Sequence, residues 1–263
     1  MKKTNLFFIA ISFFLCSCGT VAGNVKSQGM EGIRVVSLSD SASSENLVPA
    51  YKKKTGKTKK KGDFYKSVSE LRSNHTEGKD FRTVYELRKS SVAVFAIHGG
   101  KTEWGTSSIA KAIAGTDYSY YRFEALVKNN WKFHVTATNF DDPPALHVAE
   151  ESMFGISVHV QKGDEDSICV GGGNKDAAKM MSDMLVSAGY PVEYPCKKFP
   201  GESPKNIVNR TKLGGVQFEF TFPLIQKIVK NKKRLKKFSK KVRDTAEKYL
   251  NSLPEPIQQQ TNE

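Results

Sequence analysis

Two side chains five positions apart, His98 and Glu103, carry the strongest chemical signal in the sequence. They lie in IHGGKTE, at the end of the apolar, β-branched run SVAVFAI at 91–97, which reads as a buried strand. In an open α/β sheet functional groups gather at the carboxyl ends of strands. The two glycines let the backbone turn sharply enough to bring both side chains onto one centre. Imidazole and carboxylate are zinc ligands, and a catalytic zinc takes three protein ligands plus water. His159, late in the strand candidate GISVHV at 155–160, is the best-placed third ligand. Glu219 stands amid apolar residues in GVQFEF at 215–220. A buried carboxylate is costly unless bonded or functional, which makes Glu219 the candidate general base. Each signal is weak alone: HGG occurs in many loops, and a histidine near a strand end is more often a hydrogen-bonded structural residue. His75, His134 and His147 take that structural reading by default.

Four motifs taken in order, HGGKTEWGTSSIAKAIAG, FHVTATNFDDP, ISVHVQKGDEDSICVGGGN and NIVNRTKLGGVQFEF, resemble the poly-γ-glutamate hydrolases, a zinc family of phage and bacterial origin. The resemblance covers about 64–222, including the opening FYKSVSELRSNHTEGKDF. It implies an α/β fold, a single mixed-sheet domain resembling the zinc carboxypeptidases. It also implies one zinc held by His98, Glu103 and His159, with Glu219 as the catalytic carboxylate. The activity it implies is endo-acting hydrolysis of γ-glutamyl amide bonds in poly-γ-glutamate. This sequence departs from the family pattern in three places. Ile97 stands where Pro commonly precedes HGG, Val160 stands where Gly commonly follows the third ligand, and Phe220-Thr221-Phe222 lacks the usual Arg. These changes leave the ligands intact and bear on substrate preference.

For clamping a substrate carboxylate or an oxyanion, Arg210 in NIVNR is the leading cation, because Arg grips carboxylates bidentately. Asn209 beside it offers a hydrogen bond; a structural ion pair is the alternative role for Arg210, and Arg122 is a weaker choice of cation. His134 either orients a ligand or Glu219, or makes a core hydrogen bond.

The elements that must position these groups follow from periodicity. Runs at 91–97, 131–138, 155–160, 167–170 and 215–220 read as strands, and 107–114 and 175–188 as helices. Strands alternating with helices argue for one α/β domain over 64–230. Beyond Pro223, apolar residues from Ile225 to Tyr249 recur at helical steps amid Lys and Arg, describing a basic amphipathic C-terminal helix followed by a polar tail, 231–263. Such a helix either packs on the core with a solvated basic face or binds an anionic surface or polymer.

The N-terminus reads as a processing signal. Lys2 and Lys3 precede an apolar run at 6–15, too short for a comfortable membrane span. The following Leu15-Cys16-Ser17-Cys18-Gly19 resembles a bacterial lipobox, with 1–17 as signal peptide and Cys18 as the lipidated residue. Export with a lipid anchor places the protein in the cell envelope, facing outside the cytoplasm, and no nucleic acid partner is expected. Cys169 and Cys196 are then the only pair available for a disulfide, the alternative being two separate buried thiols.

The chain has 263 residues with a formal charge of +14. Apolar residues at 38% exclude global disorder. The tether at 18–63 ends in a Lys-rich run, net +6 over 51–63, and 227–248 carries +9. With Lys2 and Lys3 also set aside, the rest of the chain stands at −3, which excludes a broad basic groove across the core. Two rivals remain: a peptidase for the γ-D-glutamyl bond of peptidoglycan, and a non-catalytic envelope lipoprotein binding polyanions. The intact quartet His98, Glu103, His159 and Glu219 argues against the second.

Overall fold

The computed structural model describes residues 62–128 and 130–254. The signal peptide, the Cys18 lipidation site and the Lys-rich run at 51–61 lie outside the described residues. Among the described residues, seven strands form one mixed sheet: β1 (Phe81–Glu86), β2 (Val92–Gly100), β3 (Ser119–Ala125), β4 (Phe154–Gln161), β5 (Ile168–Gly171), β6 (Val192–Glu193) and β7 (Gly215–Thr221). Their order is β1-β3-β2-β4-β7-β5-β6. Strands β3, β2, β4 and β7 are parallel; β1 and β5 run antiparallel to β3 and β7, and β6 is parallel to β5.

Period-two alternation sends each strand's side chains into two cores. Val92, Val94 and Ala96 of β2, with Phe154, Ile156 and Val158 of β4 and Val216, Phe218 and Phe220 of β7, face four helices: α2 (Thr106–Ala114), α4 (Lys175–Ser187), α5 (Phe222–Val229) and α6 (Lys232–Asn251). Ala93, Phe95 and Ile97 face the other way, toward α1 (Val68–Arg72) and α3 (Pro143–Glu150). Central strands buried on both faces explain the nearly continuous apolar runs. On the α1/α3 side, buried Asp142 accepts from Arg72 Nε at 2.7 Å and from the Tyr121 hydroxyl. That network ties both helices to β3.

The expected strand at 131–138 is instead two 3₁₀ turns, Asn130–Phe133 and Ala137–Asn139. Phe133 and Val135 are buried as a strand pattern would have them, but the backbone is satisfied elsewhere. Thr136 N donates to Asp63 Oδ2 at 2.6 Å and the Val135 carbonyl lies 2.8 Å from His98 Nε2. The expected continuous basic helix is broken in two at Lys230 and Asn231, where the extended Asn231 (φ −115°) caps α6 by accepting from Arg234 N. Helix α6 is part of the main core: Phe238, Val242, Ala246, Tyr249 and Leu250 are buried against the sheet layer. Cys169 on β5 and Cys196 form a disulfide with a Cα–Cα distance of 5.0 Å. No helix among the described residues is long and apolar enough to cross a membrane.

Candidate metal centre

The site is built where β2 parts from its neighbours. The β2–β4 register runs from Val92↔Phe154 to Phe95↔Ser157 and then stops. Against β3, β2 carries one extra residue between Ala96 and Gly99. A bulge of this kind re-aims side chains, and His98 lies inside it. Gly100 follows at φ +66°, and a Cβ there would sit 2.4 Å from the Ala125 carbonyl, so the turn needs glycine. The chain then folds back, with Glu103 N donating to the His98 carbonyl at 2.8 Å. From the neighbouring strands, His159 and Glu219 are register partners on β4 and β7, so their side chains leave the sheet on the same face.

Three ligand-type side chains converge. His98 Nδ1 lies 2.8 Å from Glu103 Oε1, His159 Nδ1 lies 3.2 Å from His98 Nδ1, and His159 Nδ1 lies 3.5 Å from Glu103 Oε2. Glu103 Oε2 also accepts from Val160 N at 2.9 Å, which fixes the carboxylate. All three side chains are buried. The Val135 carbonyl can only accept, so it takes the proton of His98 Nε2 and leaves Nδ1 a bare lone pair in the neutral ring. Burial lowers the His98 pKa against the opposing pull of Glu103, which favours that neutral form. Burial alone would raise the Glu103 pKa, but its contacts with His98 and His159 hold it well below the usual carboxylate range. An imidazole nitrogen and a carboxylate facing each other at such a distance share either a proton or a metal ion held between them. With bonds of about 2.1 Å, ligand atoms around a tetrahedral metal stand roughly 3.4 Å apart, close to the observed spacings. The cluster is compatible with a metal ion.

Glu219 lies beside this centre and is buried. Gln217, two residues earlier on the same face of β7, donates Nε2 to Glu219 Oε1 at 3.0 Å, and Asn206 Nδ2 donates to Gln217 Oε1 at 2.8 Å. Burial drives the Glu219 pKa up to about 8; His159 opposes this, the Glu103 charge adds to it, and Lys198 also opposes it. Lys198 is thus a cation whose field reaches the carboxylate, and sequence reasoning missed it. Its loop is held by the disulfide at Cys196, by Cys196 N donating to the Val170 carbonyl at 2.9 Å, and by Gly172 N donating to the Pro200 carbonyl at 2.7 Å.

His134 is drawn to the centre as well. Its ring stacks on His98 with centroids 4.0 Å apart, and Nε2 stands 4.0 Å from Glu103 Oε1. His98, Glu103 and His134 also form a set of ligand atoms within 4.8 Å of one another. His134 Nδ1 is committed to Asp63 Oδ1 at 2.6 Å, and exposed Trp131 stacks on the other face of the ring at 4.5 Å. For Asp63, burial raises the pKa but the bonds from His134 and Thr136 bring it down to about 2. Asp63, assigned from sequence to the tether, belongs to this shell; nothing local in the sequence signals it. Gln217 was legible, since alternation in GVQFEF puts it on the face of Glu219.

Asn209 and Arg210 sit elsewhere. Asn209 Oδ1 accepts from Gly173 N at 2.9 Å, and its Nδ2 donates to the Gly201 and Ser203 carbonyls at 2.7 and 2.8 Å, so its polar atoms bind the fold together. Arg210 is exposed, with Nε donating to the Lys205 carbonyl at 3.3 Å rather than to a carboxylate. Val208 of the same 3₁₀ turn packs on Gly155, at the start of β4, while His159 lies four residues along that strand, about 13 Å away. Arg122 is paired with Glu124 at 3.3 Å. His75 bonds Tyr65 at 3.0 Å, and His147 is exposed on α3.

The family model described as poly-gamma-glutamate hydrolase matches residues 65–252, more than half of the chain. The chain is similar to UPF0714 protein YndL of Bacillus subtilis (strain 168), 36% identical over 163 residues, covering 60% of this chain and 64% of YndL. UPF0714 protein YmaC of the same organism is 32% identical over 164 residues, 60% of this chain and 69% of YmaC. The chain thus matches less than two thirds of the length of YndL. The structure of a bacteriophage poly-γ-glutamate hydrolase superposes with a TM-score of 0.68 at 24% identity, over 72% of this chain and 99% of that one, a likeness of fold. The zinc-free apo structure of YndL superposes with a TM-score of 0.63 at 29% identity, over 72% of this chain and 98% of that one. With the motifs and the sheet, the match over 65–252 places the chain in the poly-γ-glutamate hydrolase family.

Proposed function

We propose that the chain is a zinc-dependent hydrolase of γ-glutamyl amide bonds with poly-γ-glutamate as substrate. The observation that carries this reading is the meeting of His98 Nδ1, Glu103 and His159 Nδ1 at 2.8–3.5 Å beside the carboxyl group of Glu219. Family membership and the existence of a zinc-free, apo form of YndL support the choice of zinc. His98, Glu103 and His159 would hold the ion, with His134 and the Val135 carbonyl orienting them. Bound there, zinc supplies Lewis acidity toward the scissile carbonyl and lowers the pKa of a water toward about 7.

The chain's own residues do the rest. Gln217 holds Glu219 by Oε1, which leaves Oε2 to accept a proton from the attacking water and return it to the leaving amine. A carboxyl group pushed up to about 8 retains a proton well enough for that delivery, and a cation bound beside it tunes the value back toward neutrality. Lys198, whose charge acts on Glu219, is a better candidate than Arg210 for holding a substrate carboxylate at this centre. Cys18 would anchor the protein to a membrane in the envelope, a reading supported by the leader sequence alone.

The test is the chain length of poly-γ-glutamate incubated with the full-length protein, with and without chelator, and with peptidoglycan in parallel. Shortening that chelator abolishes and zinc restores is the expected result. His98→Ala loses bound metal and activity together, whereas Glu219→Gln keeps metal and loses at least ~10²-fold in rate. Near-wild-type turnover by Glu219→Gln refutes the assignment of the base, and release of peptidoglycan stems with intact poly-γ-glutamate refutes the substrate.

A further inference from the structure

Helix α6 opens with five cations in six residues, Lys232, Lys233, Arg234, Lys236 and Lys237, all exposed. This is an electrostatically unfavourable place for them. The N-terminal end of a helix carries partial positive charge, so cations there lower stability and acids raise it. No acidic residue occupies the first turn. The helix's own acids, Asp244 and Glu247, stand in its second half, where Asp244 pairs with Lys240 at 2.7 Å. Among the described residues, the ion pairs of α5 and α6 are Lys227–Asp166, Lys240–Asp244 and Arg243–Asp117, and none uses these five cations.

The fold brings this cluster to the end of the molecule that holds the metal centre. Ile225 and Val229 of α5 lie 3.1–3.3 Å from the Cβ position of Gly105, two residues after Glu103. Lys227 pairs at 2.7 Å with Asp166 in the connection that leaves the carboxyl end of β4. Helix α6 begins three residues after Val229, so its first turn lies within about 25 Å of Glu103 by chain reach. It then descends, with Arg243 Nη1 donating to the Ile113 and Ala114 carbonyls at 2.9 and 3.0 Å and Tyr249 packing on Phe154, the first residue of β4. The cations therefore crowd the active-site edge, and the helix reaches the opposite edge near Tyr249.

We propose that this first turn and a half of α6 is a distal binding track for an extended polycarboxylate, holding the acidic polymer whose bond is cut at the metal centre. The inference rests on the function proposed above and names how that site selects a polymer over a short peptide. An acidic chain threading from Glu219 toward Lys232 meets cations that repel one another and the helix end, and it relieves both. The track also gives the basicity of the C-terminal helix a place in substrate capture. Long-range capture of this kind is salt-dependent, with a reach of about 10 Å at 0.1 M ionic strength.

Deleting α6 is the wrong test, since Phe238, Val242 and Ala246 are core residues. The variant is the triple Lys233→Gln, Lys236→Gln, Lys237→Gln. Its charge-matched control is the triple Lys89→Gln, Lys212→Gln, Lys248→Gln at the opposite edge. Binding of poly-γ-glutamate to the full chain is titrated across salt, alongside polymer cleavage and binding to vesicles containing anionic phosphatidylglycerol. The α6 triple is expected to weaken polymer binding roughly tenfold at low salt, from a few-fold per exposed cation. It should flatten the salt dependence, with the loss falling on KM rather than kcat, while the control triple shifts less than about twofold. Equal effects of the two triples overturn the track, as does a loss confined to vesicle binding. Wild-type protein that binds the polymer with this salt dependence and leaves it intact refutes the proposed activity while the track stands.

Discussion

Replacing Glu219 by Gln tests the electrostatics of the centre separately from its catalysis. The carboxyl group is buried, and its pKa is driven from 4.5 to about 8, chiefly by burial. In the unfolded chain the same group loses its proton near pH 4.5, so between that pH and about 8 the folded state binds the extra proton. The state that binds more protons loses stability as pH rises. The wild-type chain, in the presence of chelator, therefore pays a growing penalty from pH 5 upward that levels off above 8. At about 1.4 kcal/mol per unit, the full shift amounts to roughly 4–5 kcal/mol. Gln has no such titration, and its Oε1 can still accept from Gln217 Nε2, now 3.0 Å from Glu219. Urea unfolding of the two chelator-treated proteins at pH 5, 6, 7, 8 and 9 reads the difference directly. The Gln variant should gain on wild type by several kcal/mol across this range, about 2 M in the urea midpoint at an m-value near 2 kcal/mol/M. Because the neighbouring Glu103 charge also acts on this group, the growth of the difference is diagnostic rather than its midpoint. A difference that stays flat, or grows toward low pH, refutes the account of a buried, strained carboxyl group.

Other perturbations probe the scaffold. Asp142→Ala leaves Arg72 and the Tyr121 hydroxyl without their buried acceptor and should cost about 3–5 kcal/mol in chemical denaturation. Phe238→Ala, which opens a cavity between α6 and the sheet, should cost about 3–5 kcal/mol; a change below 1 kcal/mol would show that α6 is not part of the core. Breaking the disulfide with Cys169→Ser, Cys196→Ser together should lower stability by about 3.5 kcal/mol for a 27-residue separation. The same change frees the Lys198 loop, so KM for the polymer should rise even where the protein remains folded; an unaltered KM would remove Lys198 from the site.

Strands β2, β4 and β7 and helices α2 and α4 were legible because each is a long apolar or strongly periodic run. Strands β1 (FRTVYE) and β3 (SYYRFEA) were not, since charged residues interrupt them. Both are sheet strands because they pair with each other and β3 pairs with β2, which is long-range information. The stretch at 131–138 erred the other way: its apolar alternation serves burial of Phe133 and Val135, while its polar backbone answers to Asp63 and His98. Arg210 looked like a carboxylate clamp by type, yet its turn packs against the start of β4 rather than its end.

The sequence by itself determined the candidate ligand types, their order and their attachment to strand ends, because residue chemistry and periodicity are local properties. It also marked Glu219 as a carboxylate in an apolar strand. Only the tertiary structure decided which groups share a centre. The bulge in β2, the parting of β2 from β4 and the register of β4 on β7 bring His98, His159 and Glu219 together from three strands. Packing likewise placed the Lys198 charge where it acts on Glu219, and brought Asp63 and His134 beside His98. Distances between segments far apart in the chain depend on how every intervening element packs, and no local pattern encodes them.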